Sequence, residues 1–237
     1  GLASMVGVLN IEIDKFMIGT LMDTESLAVY TNASRELPFS IIATSLTAIL
    51  LPKTAQLLLK SRKEDAINLW GNATLLAFLI LSFASAVLIV FAPEIMTILY
   101  SEKYLPGINV FRIYSIVLIF RCTYFGLMLN SLGKTRFILY SSMGSLLVNI
   151  LLNYPLFVLI GFEGPAVASV IAIASMNLLQ LVVTSKVVNT SFSKIFPWFK
   201  MGLVLTINFF LAILFYFGKQ YLTIETTIGE VWESILL

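Results

Sequence analysis

The chain has 237 residues, 59% hydrophobic and only 12% charged, with a mean hydropathy of +0.95. A soluble domain carries about 25% charged residues, so composition excludes that class, and a formal charge of +2 gives no reason to expect a nucleic-acid partner. One cysteine, Cys122, excludes an internal disulfide, and the absence of histidine removes His-based triads and the commonest metal ligand, so no cofactor or metal site is expected.

The apolar residues come in runs of about 20, the length that crosses a hydrocarbon core of about 30 Å. Shorter alternating segments of the kind that build membrane β-barrels are missing. The expected fold is an all-α, polytopic transmembrane helix bundle of about seven spans. The first covers 2–22 and carries Glu12, Asp14 and Lys15 near its middle. The second covers 30–52, with Arg35, Glu36 and Pro38 toward its outer end. The segment 53–70 that follows mixes Leu57–Leu59 with charges; it reads as a connector along the inner interface or as a helix extended out of the bilayer. The third span covers 67–92 and stops before Pro93. The fourth, 106–131, opens at Pro106 and holds Arg112 and Arg121. The fifth, 136–160, places Asn149 and Asn153 on one face and contains Pro155. The sixth, 164–186, is rich in small residues that permit close helix approach, and the seventh, 197–218, opens at Pro197. Prolines suit a first helical turn, whereas Pro38 and Pro155 remove helix hydrogen bonds and can kink a span. The start inside an apolar run and the closing W-E-S-I-L-L, with a possible eighth span from near Ile228, lead us to expect a piece of a longer protein.

Loops with Lys and Arg alternate with acidic ones along the whole chain. The positive-inside rule then assigns 53–66, 132–136 and 186–197 to the cytoplasm. Tyr30, Tyr100 and Tyr104 on the outer side and Trp70 and Trp198 on the inner side read as interfacial aromatics.

The first span poses the sharpest question. Three central charges cost roughly 8–10 kcal/mol on the insertion scale, and its apolar residues return about 4. Such a helix is not stable facing lipid; it needs a polar interior, a wet cavity or a partner. Glu12 and Lys15 are three apart, so they can pair. Asp14 shares its face with Asn10 and must find its partner on another helix. Arg121, at a depth of about 15 Å against about 18 Å for Asp14, is expected to face the same interior. Ion pairing that only holds helices together is one reading of these charges; a transport cavity is the other. For Asn149 and Asn153, interhelical hydrogen bonding competes with binding of a polar substrate.

Four stretches carry a resemblance: I-D-K-F-M-I-G with Y-T-N-A from Tyr30; L-L-P-K at Leu50–Lys53; L-Y-S-E-K-Y-L-P-G at Leu99–Gly107, then Arg112 and L-G-K-T-R at Leu132–Arg136; and N-I-L-L-N-Y-P-L-F-V-L-I-G-F-E-G-P-A-V-A-S at Asn149–Ser169. In this order and spacing the chain resembles the polysaccharide flippase family, in the superfamily that also holds multidrug and toxin extruders. The resemblance implies two six-helix lobes around a central cavity. Residues 1–190 would be the second lobe and 191–237 an additional helix and the start of a further one, with the first lobe missing. It implies a carrier rather than an enzyme, in the bacterial inner membrane, moving an anionic isoprenoid pyrophosphate-linked oligosaccharide for O-antigen, capsule or related polymers. Lys15, Arg121, Arg35 and Asn10 would then line the substrate cavity. Asp14 and Glu12 would carry a coupling proton or sodium ion. A cation-coupled drug extruder is the alternative, against which the central cations speak. An integral membrane transferase is a further one, and the short loops hold no cluster to serve it.

Overall fold

The computed structural model describes residues 2–35 and 37–221, and among these every regular element is helical. α1 is Leu2–Leu21, α2 Thr24–Ala33, α3 Ile41–Leu59, α4 Lys63–Val90 and α5 Ala92–Tyr100. α6 is Ile108–Phe120, α7 Leu127–Ser131, α8 Thr135–Ile160, α9 Gly164–Val187 and α10 Trp198–Tyr221. Among the described residues, five helical stretches are long and apolar enough to cross a membrane, the longest being α8 and α9 joined by one 3-10 turn at Gly161–Glu163. α1 has 20 residues and a similar length but carries the three charges. The expected all-α polytopic bundle is what the chain forms.

Two of the expected spans are interrupted. The second breaks after Ala33: Pro38 opens a single 3-10 turn, and α3 starts only at Ile41. Proline disfavours helical backbone at the residue before it, and Leu37 is accordingly extended, with ψ 154°. Arg35 sits in this gap, while Glu36 lies outside the described residues. The fourth span breaks at its centre. α6 stops at Phe120, the chain turns through 121–126, and α7 resumes at Leu127.

Other expectations shift in detail. α3 continues through Pro52 to Leu59 and α4 begins at Lys63, so 53–70 is helix extension rather than a separate connector. α8 likewise passes through Pro155. Tyr30 and Trp70, expected as interfacial aromatics, are both fully buried within the protein. Trp70 stacks edge-on to Phe196 at 4.6 Å and donates its indole N–H to Thr123 Oγ1 at 2.8 Å. The expected eighth span lies outside the described residues.

The core has two parts. Trp70, Leu81, Leu127 and Met128 belong to the one that reaches the basic loops, with Phe196 beside Trp70. Ile18, Tyr30, Met96, Val110 and Phe111 belong to the other. α8 and α9 form the most extensive helix pair, and α10 packs along α4. Asn208 donates to Ser82 Oγ at 2.7 Å in that second seam, and Lys219 pairs with Glu94 beyond it. Phe199, Leu203, Phe210 and Leu214 on α10 remain exposed, as a lipid-facing surface requires.

The α1–α2 turn rests on an N-cap. Asp23 accepts from the Ser26 backbone N–H at 2.7 Å, and this hydrogen bond holds its carboxyl below the usual carboxylate range. The folded pKa is therefore depressed relative to the unfolded one. The cap's stabilisation is fully present above the ordinary aspartate value of about 3.9 and is lost as pH falls through the depressed value. Asp23→Asn removes this acid-side component, and thermal unfolding in detergent followed from pH 6 downward measures it. Equal pH profiles for the two proteins would exclude a role for the cap.

A buried aspartate held by four neighbouring helices

Asn10 and Asp14 lie four residues apart on α1, so they share the face turned toward α8. α8 answers with Ser141, Ser145, Asn149 and Asn153, all at four-residue spacing and all buried. α9 adds Ser169 and Gln180. Gln180 Nε2 donates to Ser141 Oγ at 3.0 Å, and Ser145 Oγ donates to the Ala172 carbonyl at 2.8 Å. Asn10 Nδ2 donates to Ser145 Oγ at 3.0 Å, while the Asn149 amide reaches Asn10 Oδ1 at 2.8 Å and Ser169 Oγ at 3.2 Å. A polar seam thus runs between the three helices and ends at Asp14.

Asp14 is completely buried. Its Oδ2 accepts from Tyr114 Oη at 2.5 Å, from Ser169 Oγ at 2.7 Å and from Tyr30 Oη at 3.2 Å. Its Oδ1 accepts from Asn153 Nδ2 at 2.9 Å and lies 3.5 Å from Asn149 Nδ2. The donors come from α2, α6, α8 and α9. An ionised carboxylate is an acceptor only, and every one of these groups is a neutral donor. Hydrogen bonds to a charged acceptor are the strong kind, so when Asp14 is ionised these donors can stand in for the cation that a buried carboxylate usually demands.

The expected site residues therefore divide. Asn10 and Asp14 lie in the seam. Lys15 Nζ pairs with Glu12 Oε1 at 2.9 Å, as their spacing allows, but on another face of α1. That face stays open: the Glu12 side chain is 55% exposed and that of Lys15 25%, beside exposed Leu9 and Phe16. Arg35 is exposed in the gap after α2. Arg121 is half-buried where α6 ends, seven residues beyond Tyr114, and it is not among the groups that reach Asp14. At Asp14 itself, hydroxyls and amides supply the counter-dipoles. Arg112 binds the Ile89 carbonyl at 3.2 Å near the end of α4. Asn149 and Asn153 bind between helices, the reading that competed with substrate binding.

Tyr30, Tyr114 and Ser169 escape a reading of the sequence. Tyr30 resembles a boundary aromatic because it follows a polar loop, but α2 folds back along α1 and brings it to the depth of Asp14. Tyr114 sits in an apolar run with no neighbouring signal, and Ser169 is one of several small residues on its helix.

The family model described as polysaccharide biosynthesis protein matches residues 2–109. The match spans α1 to α5 and includes Asp14, Tyr30 and the Glu12–Lys15 pair. No curated protein and no solved structure matches the chain. Over residues 2–109, which include the aspartate around which this site is built, the chain is similar to the polysaccharide biosynthesis protein family.

Proposed function

We propose that the protein is a flippase that carries a lipid-linked, isoprenoid pyrophosphate oligosaccharide across the bacterial inner membrane. α1–α9 would form the second lobe of a two-lobe carrier and α10 the start of an extension. The observation that carries this reading is the exposed Glu12–Lys15 pair in the middle of a membrane-length helix. Charges at that depth are too costly against lipid, so this face of α1 belongs against a hydrated chamber completed by a first lobe. Lys15, Arg35 and Arg121 would meet the pyrophosphate there; cations in a low-dielectric chamber bind phosphate strongly, and Arg does so bidentately. Asp14 is next to Lys15 in the chain, on a neighbouring face of α1, and is tied to α2, α6, α8 and α9. Neutralising it with a proton or a monovalent cation changes what all four helices bind, which is how a coupling ion can select between two packings of the lobe. Glu12 stands at the open face as its companion. The basic loops 53–66, 132–136 and 186–197 would face the cytoplasm.

In the complete protein, Lys15→Ala and Arg121→Ala are each expected to lower surface polymer at least tenfold at unchanged protein level in the membrane. Immunoblotting of membranes with quantification of surface polymer checks this. Unchanged export at unchanged protein level would remove both residues from the substrate path.

A further inference from the structure

We propose that the basic end of the bundle holds one anionic phospholipid, its phosphate among Lys63, Lys186 and Lys194 and one acyl chain in an adjoining apolar slot. The slot has a volume of about 240 Å³ and lies between α4, α6, α9 and α10. Its walls are almost wholly apolar and include Leu178, Leu181, Phe192 and Trp198. Adjoining it is a polar cavity of about 380 Å³ bounded by Ser185, Lys186 and the backbone turn 189–192. The two share Phe192 as their common wall. Leu178, Leu181 and Ser185 follow at helical spacing, so one face of α9 lines both. A third cavity, about 550 Å³, continues from the same turn to Lys63 and Lys194.

The junction carries its own depth marker. Trp198 stacks on Phe192 at 5.2 Å with 9° between ring planes, and its indole N–H donates to the Phe192 carbonyl at 3.1 Å. An indole so placed, lining the apolar slot with its N–H satisfied by a backbone carbonyl, suits the level of lipid headgroups. The slot is then at acyl-chain depth and the lysine cavities at phosphate depth. Charge decides the headgroup. Lys63, Lys186 and Lys194 face these cavities and Glu64 is the one acid among their walls. Lys63 Nζ also donates to the Asn189 carbonyl at 3.1 Å, which fixes the turn where the cavities meet. Basic pockets between membrane helices on the cytoplasmic side suit anionic headgroups, each lysine contributing about fivefold in affinity. A free phosphate would use the lysines and leave the slot without a role; a two-chain anionic lipid uses both.

The test uses the complete protein in nanodiscs containing phosphatidylglycerol and phosphatidylcholine in equal amounts. After transfer to detergent, retained lipid is quantified by mass spectrometry. Phosphatidylglycerol is expected to be retained over phosphatidylcholine at least fivefold. Lys186→Gln with Lys194→Gln should remove that preference. Ala174→Phe, which fills the slot and leaves every charge, should lower retention of phosphatidylglycerol to the same degree, with thermal midpoints confirming that both variants fold. Millimolar inorganic phosphate should not displace the lipid. Equal retention of both lipids, full displacement by phosphate, or an unaffected Ala174→Phe protein each overturns the proposal. The flippase reading stands on export assays and is untouched by this outcome.

Discussion

Asp14→Ala is expected to deplete the protein from the membrane, whereas Asp14→Asn leaves its level close to wild type and lowers polymer export more than tenfold. The difference follows from hydrogen-bond directions. Alanine removes the acceptor shared by Tyr30, Tyr114, Ser169 and Asn153. Buried donors left without a partner cost about 1–3 kcal/mol each, and breaking a buried charged cluster typically costs about 3–5 kcal/mol. Asparagine fits the same space. Its carbonyl can replace Oδ1 before the Asn153 and Asn149 amides. Its NH₂ then faces three hydroxyls, which accept as readily as they donate. The fold is retained and only the charge goes. Membrane immunoblots, thermal unfolding in detergent and surface polymer together separate the two effects. A coupling role for Asp14 fails if export by Asp14→Asn scales with its protein level. A purely structural aspartate would give that result.

The sequence and the structure agree most closely where the energetics are one-dimensional. Span length and the i, i+3 and i, i+4 relations on α1 follow from distance along one helix. They correctly predict the bundle, the Lys15–Glu12 pair and the shared face of Asn10 and Asp14. What stays hidden is set between helices. Nothing along the chain says that α2 doubles back to bring Tyr30 beside Asp14, or that Tyr114 is the α6 residue that reaches it. Charge complementarity is the wrong guide at that point. A buried carboxylate can be stabilised by several neutral dipoles as well as by one cation, and polar residues of low cost to insert, such as Tyr and Ser, leave little trace in hydropathy. The interruption of the fourth span at 121–126 is equally silent, since no proline or glycine precedes Arg121 within α6. Where a proline does signal a break, at Pro38, the structure follows it; at Pro52 and Pro155 the helices continue, so proline alone does not decide.

The polar seam also depends on how closely α8 and α9 approach, and that closeness rests on Gly164. A Cβ at this position would stand 2.4 Å from the Leu156 carbonyl carbon and oxygen and from the Phe157 nitrogen. These are backbone atoms of α8 and cannot rotate aside. Gly164→Ala must therefore part the two helices, at a cost of about 3 kcal/mol on the scale of forced overpacking. The displacement reaches the site directly: Asn153 lies three residues before Leu156, and Ser169 five residues after Gly164, and both bind Asp14. The expected result is a thermal midpoint lower by roughly 10 °C, with export reduced beyond the loss of protein. Gly202→Ala is the control, because a Cβ there meets nothing within 4 Å, and alanine is the better helix former by about 1 kcal/mol. It should be neutral or mildly stabilising. Matching midpoints for the two variants would mean that α8 and α9 do not need this contact, and that the geometry around Asp14 is held by its hydrogen bonds alone.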